Sequence, residues 1–315
     1  MKRKDFLKLS SASAMLLGLK SHGINLSNSD KNYDYLKNDS QYMGEFIAPK
    51  LNTVRVAFIG VGARGSGHAK QIAAIEGTEV VGISDLYTDL AEKSSFNCQE
   101  AGNGKRHKNI AIYSGAEDKW KAMLDEVKPD AVFISTNWDN HAPMAIETMK
   151  SGAHAFVEVP MATNIDDLWN IVNTSEKTRK HCMMMENVNY GKDELMYLNM
   201  CRKGVIGEFL HAEAAYIHEL RFQMKEEDRG TGSWRTHHYA KSRGNLYPTH
   251  GLGPVAQYMN LARGDDNFDS LVSYSTPALG RTLYAGKNYG SKHKWNELNY
   301  LNGDMNTSII KTNLG

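Results

Sequence analysis

His250 stands fourth in the block Tyr247-Pro248-Thr249-His250-Gly251, so an imidazole and a phenol stand three residues apart in one loop. Both groups can move protons in a binding cleft. Earlier in the chain, Gly60-Val61-Gly62-Ala63-Arg64-Gly65 has the glycine spacing of a turn whose backbone N–H groups approach a pyrophosphate at the positive end of a helix. Asp85 follows twenty residues after Gly65, where a carboxylate accepts hydrogen bonds from an adenosine ribose diol. An acid there repels a 2′-phosphate, so the pattern predicts NAD over NADP, with Arg64 the one neighbouring cation able to meet such a phosphate. The rival explanation is a bare turn, with Asp85 capping the next helix.

These groups need a scaffold, and the chain offers one from Val54 onward. Apolar runs at Val54 to Gly60, Glu79 to Asp85, Ala131 to Thr136 and His154 to Val159 alternate with helical patterns at Arg64 to Ile75, Thr88 to Ala101, Lys119 to Val127 and Asn140 to Ser151. That alternation predicts an α/β fold, a doubly wound parallel sheet covered by helices. The glycine block then sits where a strand meets a helix. Ser135 to His141 falls at the carboxyl edge of the sheet, where ligands of open α/β folds sit; helix capping is the competing role for Asp139 and Asn140. Ile165, Leu168, Trp169 and Val172 recur at helical spacing and predict a scaffold helix with its Trp in the core. Leu252, Val255, Ala256 and Met259 share one face of a helix that begins near Thr249. His250 then lies in its first turn, where the positive helix end disfavours imidazolium. Tyr247 precedes a proline and is expected to be extended, and Tyr190 is a third proton-transfer candidate by position alone.

Composition narrows the function classes. Among 315 residues, 37 Lys and Arg against 36 Asp and Glu leave a net charge of +1, so no global field draws a nucleic acid or an anionic membrane. Three widely spaced cysteines exclude a disulfide framework and a CxxC site. His211, His218, His237 and His238 lack zincin spacing, so no metal is expected. Arg235 beside Trp234 suits a hydroxyl-rich ligand, and Lys225 to Gly230 reads as a solvated loop. Residues 1–30 read as an export signal resembling the twin-arginine type, with Lys4 in place of the second arginine. That reading implies a periplasmic location; an amphipathic helix is its rival. Residues 31–53 read as a linker, 54–187 as a dinucleotide-binding domain and 188–315 as a substrate domain. Nothing after the signal approaches the ~20 apolar residues needed to span a bilayer.

The order of these blocks resembles the superfamily of glucose-fructose oxidoreductase and myo-inositol dehydrogenase. The resemblance implies a Rossmann domain followed by an α+β open-sheet domain that supplies the substrate pocket. Those dehydrogenases carry Glu-Lys-Pro where this chain has Glu158-Val159-Pro160, and a valine moves no proton. Together with Trp138-Asp139-Asn140-His141, Glu186-Asn187-Val188-Asn189-Tyr190, Ser233-Trp234-Arg235-Thr236-His237 and the Tyr247 block, the chain looks like glycoside hydrolase family 109. Members of that family are NAD-dependent α-N-acetylgalactosaminidases. With the glycine turn of Gly60 and Gly62, the resemblance implies that Ala63, Arg64, Asp85, Trp138, Asp139, Asn140, His141, Glu158, Val159 and Asn187 hold NAD. Tyr216, Arg235, Tyr247, Pro248, Thr249 and His250 would hold the sugar. The implied chemistry is hydride removal from C3, elimination across C1–C2, addition of water and return of the hydride, NAD being retained. Which of Tyr190, Tyr247 and His250 is acid or base stays open. Family members usually run further, with a later substrate tyrosine, so an incomplete second sheet is expected. The expected partner is a small-molecule or glycan substrate, with pairing of open sheets into a homo-oligomer. A sugar or cyclitol dehydrogenase and a non-catalytic NAD-binding protein are the alternatives.

Overall fold

The computed structural model describes residues 42–315 apart from 103 and 105, so the expected export signal and the start of the linker lie outside the described residues. Six parallel strands form the main sheet: β1 (Val54–Ile59), β2 (Thr78–Asp85), β3 (Ala111–Ser114), β4 (Ala131–Ile134), β5 (His154–Val157) and β6 (Cys182–Met184). Their spatial order is β3-β2-β1-β4-β5-β6, which reverses direction between β1 and β4 and opens a crevice at that switch point. The crossovers are α1 (Gly65–Ala74), α2 (Thr88–Ala101), α3 (Lys119–Val127), α4 (Trp138–Lys150) and α5 (Ile165–Thr178).

Alternation along β1 decides which helix covers which face. Val56 and Phe58 pack on Ala69 and Ala73 of α1 and on Ala91 and Cys98 of α2. Ala57 and Ile59 point the other way, onto Met123 and Leu124 of α3 and Ala142, Ala145 and Met149 of α4. Burying side chains such as Phe58 and Ile59 contributes about 1.5–3 kcal/mol each. Both faces being covered is the physical reason the strand sequences read as continuous apolar runs.

Two strands stand beyond the four runs expected from sequence. β3 and β6 are the two edge strands of the sheet, and none of their residues is fully buried, so neither reads as a continuous apolar run. A second difference concerns α5. Ile165, Leu168 and Val172 are exposed, Trp169, expected in the core, is only half-buried, and Ile171 is the fully buried apolar residue of the helix. α4 already covers that face, so α5 touches the sheet near its edge and one apolar side chain suffices.

Beyond the sheet come a 3-10 turn (Asn187–Tyr190), α6 (Lys192–Arg202), a second 3-10 turn (Arg221–Lys225), α7 (Thr231–Lys241) and α8 (Pro248–Tyr258). They are followed by β7 (Phe268–Ser275), α9 (Leu279–Asn288), α10 (Lys294–Glu297) and β8 (Asn306–Thr312). β7 and β8 form an antiparallel ribbon, and every residue of β7 is exposed. A separate core of Met224, Tyr239, Ala285, Trp295 and Tyr300 holds this part together. Its centre is Trp295, whose indole N–H donates to the Met224 carbonyl at 2.7 Å. No helix among the described residues is long and apolar enough to cross a membrane.

The glycine turn divides into structural and open positions. A Cβ on Gly65 would lie 1.9 Å from the Gly60 carbonyl oxygen, whereas one on Gly62 would meet nothing within 4 Å. Gly65→Ala is therefore expected to lower the unfolding free energy by about 1–3 kcal/mol, and Gly62→Ala to leave it within about 0.5 kcal/mol. Urea denaturation followed by circular dichroism measures both.

Candidate active site

At the switch point, β1 runs into Gly60, which adopts φ +81°. A side chain there would press on the Ser135 carbonyl at 2.7 Å, so only glycine lets the loops after β1 and β4 lie this close. No side chain caps α1 and its first turn holds no acid, which leaves that helix end free of an internal anion. Asp85 at the end of β2 accepts from the backbone N–H of Val61 at 2.8 Å and of Tyr87 at 2.9 Å. Its carboxylate thus braces the glycine loop and does not cap α2, whose N-cap is Tyr87. Open space above Gly62, tight contact below Gly60 and Gly65, and an acid beside the loop together fit the pyrophosphate and ribose of a dinucleotide.

Glu158 follows β5 and is 7% exposed. It accepts from His68 Nε2 at 2.6 Å and lies 3.7 Å from Arg64 Nε. Burial pushes this carboxyl up, but the hydrogen bond and charge of His68, the Val159 N–H and Arg64 outweigh it, so its pKa lies below the ordinary value. His68 escaped the sequence reading; its place on α1, three residues past Gly65, was the available signal. Arg64 also donates to Asn187 Oδ1 at 3.4 Å, tying the glycine loop to the segment after β6. Val159 is buried against Trp138 and Tyr247.

Trp138 opens α4 and is 3% exposed. Around it stand Trp234 at 5.0 Å, His238 at 4.9 Å and Tyr247 at 5.6 Å, by ring centroid. The Arg235 guanidinium lies 5.4 Å from the rings of Trp138, Trp234 and Tyr247. It takes Gln223 Oε1 at 3.0 Å and donates to the Tyr247 hydroxyl at 2.5 Å. Tyr247 stacks on His250 with centroids 5.2 Å apart and planes 4° from parallel, and Tyr216 packs on both rings. Burial holds the Tyr247 phenol at about 12 despite the opposing pull of Arg235, so it keeps its proton at neutral pH. His250 Nδ1 lies 2.5 Å from Oε1 of Glu186, a side chain 1% exposed.

His250 does lie in the first turn of α8, whose N-cap is Tyr247. The sequence reading missed the carboxylate that faces it, because Glu186 is 64 residues away. Tyr247 is not extended, having φ −135° and ψ 53°. Tyr190 is 53% exposed and makes no hydrogen bond or ring contact with this cluster. Pro248 is exposed at the first position of α8 and Thr249 is half-buried beside it. Asn137, rather than Asp139 or Asn140, caps α4 by accepting from the Asn140 N–H at 3.2 Å; Asp139 reaches His238 at 3.4 Å. His141 is 1% exposed, with its two ring nitrogens against the carbonyls of Pro160 and Thr136 at 2.7 and 3.1 Å. Its ring braces these loops and has no nitrogen left for a cofactor. Lys225 to Gly230 is no free solvated loop either: Arg229 pairs with Asp89 at 2.7 Å and lies 4.1 Å over the Tyr87 ring. Among the described residues no group of three or more His, Cys, Asp or Glu could hold a metal.

Fold and cradle together define a Rossmann-type oxidoreductase fold that carries NAD. Residues 54–186 match the family model described as oxidoreductase family, NAD-binding Rossmann fold. Residues 190–315 match that of the glycosyl hydrolase 109 C-terminal domain. A glycosyl hydrolase family 109 protein 1 of Akkermansia muciniphila is 63% identical over 274 residues, covering 87% of this chain and 56% of that relative. A family 109 protein of Shewanella pealeana is 52% identical over 310 residues, covering 98% and 66%. The chain belongs to glycosyl hydrolase family 109, and spans about half to two thirds of the length of these relatives. Among solved structures, scyllo-inositol dehydrogenase from Lactobacillus casei with bound NAD(H) and scyllo-inositol has a TM-score of 0.58 at 15% identity, covering 83% of this chain and 66% of that one. The myo-inositol 2-dehydrogenase of Lactobacillus plantarum has a TM-score of 0.57 at 18% identity, covering 74% and 62%. These two are likenesses of fold.

Folding holds the Glu158 carboxyl below its unfolded value near ~4.3, so its contribution to stability is complete above that pH and is lost as pH falls through the folded value. Glu158→Gln is expected to flatten the acid limb of stability against pH, read from urea midpoints on either side of pH ~4.3.

Proposed function

We propose that this chain forms the NAD and sugar site of a glycosidase that removes terminal α-linked N-acetylgalactosamine. The observation that carries the reading is the place of Trp138: it follows the segment after β4 that closes on Gly60, packs on Val159 beside Glu158, and carries the Tyr247 ring and the Arg235 guanidinium of the cluster that includes Tyr216 and His250. Gly60, Gly62, Ala63, Arg64, Asp85 and Asn187 would hold the cofactor. Bound NAD would supply reversible hydride removal at the sugar C3, which renders the neighbouring C2 proton acidic.

The side chains then divide the proton work. His250 has Nδ1 engaged by Glu186, so Nε2 is the atom that takes the C2 proton. Tyr247 keeps its proton at neutral pH and its oxygen accepts from Arg235; its O–H would donate to the departing glycosidic oxygen. Trp234 and Trp138 offer aromatic faces to a sugar's C–H surface. A dehydrogenase of the inositol type is the rival. Val159, 6% exposed and packed on Trp138 and Tyr247, puts no ionisable group where such an enzyme needs one.

Nitrophenyl α-N-acetylgalactosaminide with trace NAD is the test. The chain should release nitrophenol without accumulating NADH, and His250→Ala should slow release by roughly 10²–10⁴-fold. One NADH per sugar would establish the dehydrogenase instead. Equal release by wild type and variant would remove His250 from the chemistry.

A further inference from the structure

Glu186 sits two residues after β6, and its side chain is 1% exposed. Oε1 lies 2.5 Å from His250 Nδ1 and also accepts the Val188 N–H at 3.3 Å. Oε2 is buried and has no hydrogen-bond partner. We infer that Glu186 is the positioning residue for His250, holding the proton on Nδ1 and presenting Nε2 as the base; the inference rests on the reaction proposed for this site.

The short contact decides where the proton sits. A neutral imidazole carries one N–H. The other tautomer would set the Nδ1 lone pair against a carboxylate oxygen 2.5 Å away, which is repulsive, so the proton belongs on Nδ1. A buried carboxylate is costly unless donors satisfy it. With Oε2 unpartnered, its charge is compensated chiefly through the strong N–H of His250.

Geometry supplies the rest. Tyr247 stacks flat on the imidazole and Tyr216 tilts against it at 4.8 Å. These rings fix the plane of His250, and the carboxylate fixes its rotation within that plane. The ring is 14% exposed and Nε2 makes no hydrogen bond among the described residues, so this is the nitrogen a substrate meets. When Nε2 takes the C2 proton, one C–H bond breaks, one N–H bond forms and the electron pair stays on the sugar carbon. The resulting imidazolium then faces an anion that was already in place. A purely structural role is the competing account, since Glu186 also caps the 3-10 turn at Asn187 through Val188.

Glu186→Gln in the full chain, loaded with NAD and labelled with ¹⁵N-histidine, separates these accounts. In the wild type, the His250 nitrogens, assigned by their loss in His250→Gln, are expected to show a protonated Nδ1 with a far-downfield proton. Glu186→Gln should abolish that proton and populate the Nε2–H tautomer. It should also lower kcat on the order of 10³–10⁴-fold, with KM for the glycoside and NAD affinity unchanged. A wild type with its proton on Nε2 would overturn the inference, even if the variant fails to fold. So would a folded variant that keeps Nδ1–H, or one that keeps wild-type kcat. If the wild type hydrolyses no glycoside, the proposed function fails, while the tautomer measurement still decides what Glu186 does.

Discussion

The indole of Trp138 is the contact on which the rest of the site depends. It is the first residue of a helix that begins at the carboxyl edge of β4, so the sheet fixes its position. Its faces and edges are covered by Trp234, His238, Tyr247 and the Arg235 guanidinium, all from the second half of the chain. Each aromatic pair adds about 0.5–1.5 kcal/mol beyond the area it buries. The larger effect is geometric. One rigid ring, in the segment after β4 that closes on Gly60, lies against the tyrosine–histidine cluster, so the glycine turn and the cluster are held at the same edge of the sheet.

Two buried carboxylates share the same edge of the sheet, and both are matched by histidines. Glu158 lies after β5 with His68, and Glu186 after β6 with His250. An unpaired carboxylate in either place would be strongly unfavourable, so these pairs require the loops after β1, β5 and β6 and the start of α8 to arrive together. Val159 follows Glu158 directly, and its apolar side chain fills space against Trp138 and Tyr247.

The two halves are also joined at the far end of the cradle. Arg229 reaches Asp89 and the ring of Tyr87, next to the backbone N–H that Asp85 binds. Exposed ion pairs of this kind add little stability alone. Their position matters more, because the loop carrying Arg229 is held from its other side by Lys294 on Asp228 and His293 on Glu227. The segment therefore has a defined place beside the loop after β2.

The sequence by itself determined the doubly wound sheet, the glycine turn with its acid, and the helix that starts at the Tyr-Pro-Thr-His block. Each depends on local spacing: alternation along a strand, an apolar face on a helix, or a backbone conformation that needs glycine. It also carried the chain to its family through short blocks that survive as contiguous strings. Tertiary structure alone decided which partner each polar group meets. Glu186 and His250 are 64 residues apart, and His68 and Glu158 are 90 apart, separations that no period encodes. The same reason explains the misplaced faces. His141 turned inward to two carbonyls and the apolar stripe of α5 turned outward, because burial is set by what packs opposite a residue, and the opposing surface comes from elsewhere in the chain.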